Sequence, residues 1–487
     1  MSSQSHRRHR RHAWTLRSGV HSSAAVRGDG SRRLVTERWG ELNSVCHNCQ
    51  PPFDRVTRQC HHARRHEMVM LAVSLLASAL MAPQAQPPDD VPPDWLLPNF
   101  AERLELDVIN PSSASVRTLA AVPVARASSA ALRFPGTLAI VVRPGSPPAV
   151  LPSQIDDLDS DGTPDELVFP IELDAHASAP VHVYFSRTLR DTLPWPKRVH
   201  ASHAFGYNHA TATLESALIG YRTYGGFFLD VQARHEGQPG LFNALVGYLG
   251  SRHPSPAGRD VIHLGDTLGL GGLFLRHGRE VQRPPLNVPD YAHARPPPHV
   301  PRYRVVASGP LRAIVEARLD RWRLSEAEQV AVRATYTITA GATHVECRFQ
   351  VVPLQIVRRY EVGAGVRHLP DMTVDHAAGR LALRGTESPE IGALGLALYY
   401  DTSTAAAAPP IATKDGANEV VLFRRQLAPG QLVEGQYWLA AAWSGTGIRD
   451  LLSHLTHVEQ QARAAVRIEH LRLARTPWPE RIEGEAH

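Results

Sequence analysis

Two residue types are scarce in this chain, and each shortage narrows its chemistry. Lysine occurs only as Lys197 and Lys414 among 52 basic residues, so arginine supplies all the others; we interpret this as coding bias. Cysteine occurs four times, and three of the four lie before residue 68. The rest of the chain keeps only Cys347, which alternates with Val345 and Phe349 as a buried strand residue does. A disulfide framework is therefore excluded.

The common signatures of hydrolases and nucleotide-binding proteins are also missing. The chain has no Gly-x-Ser-x-Gly elbow and no His-Glu-x-x-His motif. The string Gly269-Leu-Gly-Gly272 is not followed by the Gly-Lys-Ser/Thr of a phosphate loop, and no βαβ pattern surrounds it. We expect neither a nucleotide nor an organic cofactor, and we interpret the glycines over 265–272 as a tight bend between strands.

The first 67 residues differ in composition from the rest. They hold thirteen arginines and five acidic residues, whereas the whole chain has a net charge of only +5. The body after them is slightly acidic, so charge gives no reason to expect a nucleic-acid partner. Zinc-like spacings at Cys46-His-Asn-Cys49 and Cys60-His-His62 fall in this leader, where no strand or helix pattern could hold a site.

An apolar segment follows the leader at 68–86. Its core of about a dozen apolar residues ends in small residues, as in a secretory signal peptide, and it is too short to span a membrane. We predict a signal peptide at 68–86 and a translation start near Met68, which makes 1–67 a mis-called or disordered leader. The mature protein is then expected to be secreted or periplasmic.

A hydrophobic period of two dominates the body. Apolar and polar residues alternate over 313–320, 332–339 and 345–351, which predicts antiparallel strands with one buried face and one wet face. One apolar stripe has helical spacing instead; its members are Ile448, Leu451, Leu452, Leu455, Val458 and Ala462. The sequence predicts an all-β protein of large stacked antiparallel sheets with a C-terminal helix. We expect a single large domain over 90–475, with or without a smaller N-terminal β subdomain over 95–190.

One acidic motif has a chemical rationale of its own. Its alternating carboxylates are Asp157, Asp159, Asp161 and Asp165. With Gly162 at the sharp turn, they match the short Asp-x-Asp-x-Asp-Gly-x-x-Asp loops that offer calcium its six to eight oxygen ligands. Val168 stands where an EF-hand has glutamate. We predict a structural calcium site; the alternative is an acidic, solvated turn without metal.

A second candidate site consists of polar residues on strand-like segments in the middle of the body. The candidates for catalysis are Tyr221, His235, His263 and Asp266, and those for substrate binding are Arg222, Asp230 and Arg312. A tyrosine or histidine can transfer a proton while an arginine neutralises a carboxylate. Structural alternatives are a half-buried strand residue for Tyr221, a salt-bridge partner for Arg312 and a surface histidine for His235. We expect at least two of the seven to line a common pocket.

Several of these segments resemble the exported bacterial family of domain of unknown function 4861. The similar stretches are Ser216-Ala-Leu-Ile-Gly-Tyr-Arg-Thr-Tyr-Gly225 through Gly237, Leu264-Gly-Asp-Thr-Leu-Gly-Leu-Gly-Gly272 with Ser308-Gly-Pro-Leu-Arg312, and Gly392-Ala-Leu-Gly-Leu-Ala-Leu-Tyr-Tyr400 with Tyr437-Trp-Leu-Ala-Ala-Ala-Trp443. Of the family's Glu-Asn-Asp, only Glu215 is kept. The resemblance, over about 95–475, implies a galactose-mutarotase-like β-supersandwich and a role in the breakdown of pectin-like polysaccharides.

Two functions are compatible with these features. The first is an enzyme of lyase or hydrolase type that acts on uronic-acid-containing oligosaccharides, with Tyr221 or His235 as the acid or base and Arg222 or Arg312 as the carboxylate clamp. The second is a non-catalytic carbohydrate-binding or accessory protein that presents the same groove without turnover. Either function makes an oligosaccharide or polysaccharide the expected partner.

Overall fold

The computed structural model describes residues 95–97, 100–124, 139–185, 195–206, 209–223, 227–241, 258–285 and 299–475. The leader, the predicted signal peptide and their cysteines lie outside these ranges. All the described strands that pair do so in antiparallel fashion, and they form four sheets. No helix of the described residues has the length and apolarity that a membrane crossing requires.

Two of the sheets form a small sandwich. The five-stranded sheet has the order β26-β1-β7-β3-β4, with β1 (Glu102–Ile109), β3 (Ala139–Arg143), β4 (Ala149–Leu151), β7 (Ser178–Phe185) and β26 (Arg467–Arg475). The three-stranded sheet has the order β2-β6-β5, with β2 (Val116–Pro123), β5 (Gln154–Asp156) and β6 (Glu166–Leu173). Alternate residues of both sheets, including Leu104, Phe169 and Val183, share one core. The last strand of the chain therefore completes a sheet that the first strand begins.

A ten-stranded sheet forms one layer of a much larger sandwich. Its main path is β23-β24-β19-β13-β11-β10-β9-β8, with β12 paired to β11 and β14 to β13. The strands are β8 (Val199–Gly206), β9 (His209–Ser216), β10 (Ile219–Thr223), β11 (Leu229–Arg234), β12 (Gly258–Asp260), β13 (Leu270–His277), β14 (Glu280–Gln282), β19 (Tyr360–Arg367), β23 (Ala405–Thr413) and β24 (Gly416–Leu427).

An eight-stranded sheet forms the other layer, in the order β15-β16-β17-β18-β25-β22-β21-β20. The strands are β15 (Arg302–Ser308), β16 (Arg312–Arg323), β17 (Gln329–Thr339), β18 (His344–Gln355), β20 (Thr373–Ala377), β21 (Arg380–Ser388), β22 (Gly392–Tyr400) and β25 (Val433–Trp443). Strands β16, β17 and β18 contain the three predicted alternating stretches, and their apolar residues point into the core between the layers. The predicted strands are confirmed, and Cys347 is fully buried among them.

The predicted helix is α1 (Leu451–Ala462). Asp450 caps its first turn by accepting a hydrogen bond from the Ser453 N–H. The buried side of the helix packs with alanines of β22 and β25 on the outer face of the eight-stranded sheet. The all-β antiparallel sandwich with a C-terminal helix is thus confirmed.

The glycine-rich segment leads from β12 into β13. Gly269 has a φ of +52° there, and Gly271 has a φ of +80° on the strand itself. A Cβ atom on Gly271 would lie 2.3 Å from Leu439 Cδ1 of the facing sheet, so no side chain fits at this position. These glycines serve a tight bend and a close contact between layers, as their pattern predicts.

Candidate functional site

The outer face of the ten-stranded sheet carries charged side chains that are buried. On β9, β10 and β11, the residues that alternate with these, such as Leu214, Tyr221 and Val231, fill the main core. The buried polar residues of the outer face are Thr211, Thr213, Glu215, Arg222, Asp230, Gln232 and Arg234. Charged groups are seldom buried without a partner, so the pairing within this layer determines its chemistry.

Arg222 holds two carboxyl groups at the centre of the layer. Its Nη2 lies 2.5 Å from Asp230 Oδ2 and 3.5 Å from Asp260 Oδ2. Strand register produces this arrangement, because Arg222 is paired with Asp230 between β10 and β11. Asp260 ends β12 and is paired with Gln232 on the other side of β11. Three neighbouring strands therefore place these three side chains together.

The surroundings of Asp260 raise its pKa well above the usual value for an aspartate. Burial is the main cause and the negative charge of Asp230 adds to it, while the Arg222 guanidinium acts in the opposite direction without outweighing them. The Asp260 and Asp230 side chains are also in hydrogen-bond contact. A carboxyl group in this setting can keep a proton at neutral pH and donate it to a bound molecule.

A second ion pair lies on the same face, between Arg234 and Glu215. Arg234 Nη2 is 2.8 Å from Glu215 Oε2, and both side chains are at most 5% exposed. Burial lowers the pKa of Arg234 to about 10, although Glu215 acts to raise it, so the guanidinium remains charged at neutral pH. The layer thus contains two cations and three carboxyl groups in its described part.

Tyr221 lies on the opposite face of β10 and is 0% exposed. Its hydroxyl donates to the Thr343 carbonyl oxygen at 2.6 Å and accepts from the Ala441 N–H at 3.2 Å. Burial raises the pKa of Tyr221 above its usual range. A fully enclosed hydroxyl with two backbone partners cannot reach a bound sugar, so we assign Tyr221 to the core instead of the site.

His235 follows β11 directly and is half-buried. Its ring centroid is 5.2 Å from that of Trp443. It lines a cavity of about 310 Å3 that none of Arg222, Asp230 and Asp260 lines. The structure therefore separates His235 from the charged layer.

His263 and Asp266 belong to the loop between β12 and β13. The His263 N–H donates to Glu387 Oε1 at 2.8 Å, and the side chain is exposed. Asp266 pairs with Arg283, and its N–H donates to Asp415 Oδ2 at 2.6 Å. Among the described interactions, no hydrogen bond or ion pair joins either residue to the Arg222 cluster.

Arg312 starts β16 and connects the large sandwich to the small one. Its Nε donates to Asp156 Oδ2 at 2.6 Å, and its Nη2 donates to Glu166 Oε2 at 2.8 Å. Gly309 packs against the Gln154 side chain, whose Oε1 accepts from the Arg312 N–H. Both edges of the guanidinium are engaged within the protein, so we assign Arg312 the salt-bridge role in place of substrate binding.

The acidic loop connects β5 to β6. Carboxylate oxygens of Asp157, Asp159 and Asp165 lie within 4.8 Å of one another, whereas Asp161 accepts a hydrogen bond from the Thr163 N–H. Desolvation acts to raise the pKa of Asp157, but backbone hydrogen bonds, led by that from Gly162, lower it overall. Three ionised carboxylates at this spacing suit a hard cation such as calcium.

Comparison with known families identifies the chain at this point. The family described as domain of unknown function (DUF4861) matches residues 109–467. The chain belongs to this family. The match includes the charged layer, the acidic loop and the helix, and it confirms the resemblance noted in the sequence.

Solved structures that are similar to this DUF4861 chain include two from Enterococcus faecalis. One is a protein in the glycosyl hydrolase family 38, with a TM-score of 0.42 and 8% identity; the match covers 76% of this chain and 47% of that one. The other is an alpha-mannosidase of strain V583, with the same score and identity, covering 75% and 46%. This chain therefore spans less than half of either structure. No curated protein matches it significantly.

Sequence reasoning about this DUF4861 chain did not select Gln232, Arg234 or Asp260. The first two alternate with apolar residues on β11, as the wet face of an ordinary amphipathic strand does. The signal that could have marked them is the charge on three successive outer positions of neighbouring strands, but only the fold shows that this face is buried.

Proposed function

We propose that the outer polar face of the ten-stranded sheet binds a carbohydrate and that Asp260 and Asp230 act there as the acid and the base. The observation that carries the proposal is the pair of carboxyl groups on one buried guanidinium. One carboxylate neutralises Arg222, and a second adds an unfavourable charge unless it holds a proton. Adjacent groups with separated pKa values are common at catalytic sites.

The substrate class that we propose is a uronic-acid-containing, pectin-like oligosaccharide. The class follows from the family resemblance, and the charges of the layer are compatible with it. With Asp260 protonated, Arg222 and Arg234 balance Asp230 and Glu215, so the layer does not repel an incoming carboxylate. An arginine that shares its charge between Asp230 and a uronate can offset the negative charge that develops during reaction.

Of the two reaction types, the geometry favours the lyase. Paired carboxyl groups that flank a glycosidic bond are about 5–5.5 Å apart in retaining hydrolases and further apart in inverting ones. Asp230 and Asp260 are in hydrogen-bond contact, so they act from one side. In elimination, Asp230 takes the proton at C5, a C4–C5 double bond forms as the C4–O bond breaks, and Asp260 protonates the leaving oxygen.

Carbohydrate binding without turnover is the second candidate function. It is supported by the internal pairing of Arg222 and Arg234, each of which already neutralises a carboxylate. A layer of closed ion pairs can also be purely structural, because a buried charge needs only its partner.

Incubation with pectic and with neutral oligosaccharides tests the proposal, with new C4–C5 double bonds followed by absorbance and new reducing ends by titration. A lyase produces both signals together, whereas a hydrolase produces reducing ends alone. Asp260→Asn should abolish turnover, and Asp107→Asn, on an exposed residue of β1, should not. Calorimetric binding without either product would establish the second candidate, and absence of both binding and turnover would reject the site.

Two further assignments remain proposals. We propose export, on the strength of the signal-peptide pattern at 68–86, which precedes the described residues. We also propose that Asp157, Asp159 and Asp165 hold calcium as a structural ion, because their oxygens converge in one loop.

A further inference from the structure

A second cavity lies at one end of the large sandwich, where β10, β11, β25 and α1 approach one another. Its volume is about 310 Å3, and its walls include Leu218, Ile219, His235, Pro239, Trp443 and His454. A cavity of about 150 Å3 with apolar walls is enough for benzene. This one can therefore hold a substituted six-membered ring.

The aromatic wall of the cavity is fixed in place. Trp443 is 4% exposed, and its Nε1 donates to the Ile391 carbonyl oxygen at 2.7 Å. The His235 ring packs against it with an interplanar angle of 54°. Leu218 is 42% exposed, although large apolar side chains are usually covered. The cavity is thus formed before any ligand arrives.

His454 brings an unused hydrogen-bonding atom to this cavity. The residue lies on α1, and its Nε2 is buried without a hydrogen-bond partner. Burial lowers the pKa of the ring, and the nearby His457 lowers it further, so the ring is neutral at pH 7. A buried polar atom without a partner is unfavourable, and a ligand that pairs with Nε2 removes that cost.

We propose that this cavity binds a small neutral aromatic alcohol, whose ring lies against the apolar walls and whose hydroxyl pairs with His454 Nε2. A hydroxyl suits either tautomer, since it can donate or accept. A pyranose fits poorly because its several hydroxyls would face apolar walls unpaired. A charged ligand would lose its hydration without an opposite charge in return, since Arg234 is paired with Glu215. The cavity is distinct from the charged layer, so the proposal does not depend on the carbohydrate function.

The test uses 4-fluorophenol and 4-fluorotoluene as probes of the full chain, followed by fluorine NMR titration. The two molecules differ only in the group that could reach Nε2. We expect wild type to prefer the phenol by about tenfold, which corresponds to one net hydrogen bond. His454→Phe keeps an aromatic ring and should abolish the preference. His457→Phe, on the exposed side of α1, is the matched control and should retain it.

Two further variants keep the test decisive should His454→Phe fail to fold. His454→Gln places an amide near the Nε2 position and should keep most of the preference. Leu218→Trp changes an exposed residue at the rim and should weaken both probes without affecting folding. The proposal is overturned if neither probe binds wild type, if His454→Phe keeps the preference, or if Leu218→Trp binds both probes as wild type does.

Discussion

Asp156 accepts a hydrogen bond from Arg312 across 2.6 Å, and this contact ties the small sandwich to the large one. The Arg312 side chain is 11% exposed and that of Asp156 is 5% exposed. Solvent therefore screens the pair little, and loss of either partner would leave a poorly hydrated charge.

Arg312→Ala should lower the free energy of unfolding by about 3 kcal/mol, the scale for removing one partner of a buried ion pair. Urea unfolding gives the value directly. Arg318→Ala is the control, since Arg318 lies on the same strand but is 60% exposed, and a change below about 1 kcal/mol is expected there. Equal effects of the two variants would refute the structural role assigned to Arg312.

The proton on Asp260 gives a pH-dependent prediction. Because burial and the charge of Asp230 raise the pKa of Asp260, the acid form persists to higher pH than in an ordinary aspartate. Turnover should fall as the pH rises through this pKa, since the donor is then lost. Asp260→Asn should reduce the rate by about a hundredfold or more at every pH. Infrared difference spectra of wild type and Asp260→Asn at pH 7 should show a protonated carboxyl band, and its absence would contradict the assignment.

Glu328 should make stability sensitive to strong acid. Hydrogen bonds from the Arg358 side chain, and then from Tyr360 and two backbone N–H groups, lower its pKa from 4.5 to about 2, although burial opposes the shift. The unfolded chain therefore binds this proton first, so the contribution is complete above pH 4.5 and is lost as the pH falls toward 2. The unfolding free energies of wild type and Glu328→Gln should converge over that window. Glu326→Gln, on an exposed neighbour, should parallel wild type throughout.

His344 acts in a different window. Burial lowers its pKa from 6.5 to about 4, so the folded protein keeps the ring neutral where the unfolded chain protonates it. Its contribution is present above pH 6.5 and is lost as the pH falls toward 4. His344→Leu should remove this part of the pH dependence, as measured by unfolding between pH 7 and 4. A variant with the same slope as wild type would show that His344 is not the group responsible.

Calcium should stabilise the protein through the loop between β5 and β6. Asp159→Ala combined with Asp161→Ala should lower the melting temperature in calcium and leave the protein in chelator almost unchanged, because an ion that binds only the folded state stabilises it by mass action. Asp401→Ala, in another exposed turn, is the control. Identical melting of wild type in calcium and in chelator would leave the loop an acidic turn without metal.

The strands and the helix could be predicted because their patterns are local. Alternation over β16, β17 and β18 and the stripe of α1 each arise from one element with one buried side. The candidate site could be predicted only in part. Arg222 and Asp230 are eight residues apart on adjacent strands and come together, whereas Asp260 reaches them across β12, a pairing that no local pattern encodes.

The sites expected for Tyr221 and Arg312 show a second limit of sequence reasoning. Tyr221 faces the core because its strand alternates, but the face buried by the facing sheet and the polar face are both inaccessible, so polarity alone cannot tell them apart. Arg312 follows a rigid Gly-Pro turn, yet its partners Asp156 and Glu166 lie far earlier in the chain. Long-range pairing of this kind appears only in three dimensions.

Strand β26 pairs with β1 along nearly its whole length, at register pairs from Glu102↔Arg475 to Ile109↔Arg467. During synthesis, the N-terminal sheet therefore waits with an open edge until the final strand has emerged, after both large sheets have been made. A chain that stops short of Arg467 would leave this edge permanently unpaired and open to association with other chains. The end of the polypeptide thus serves as a built-in check that translation was completed.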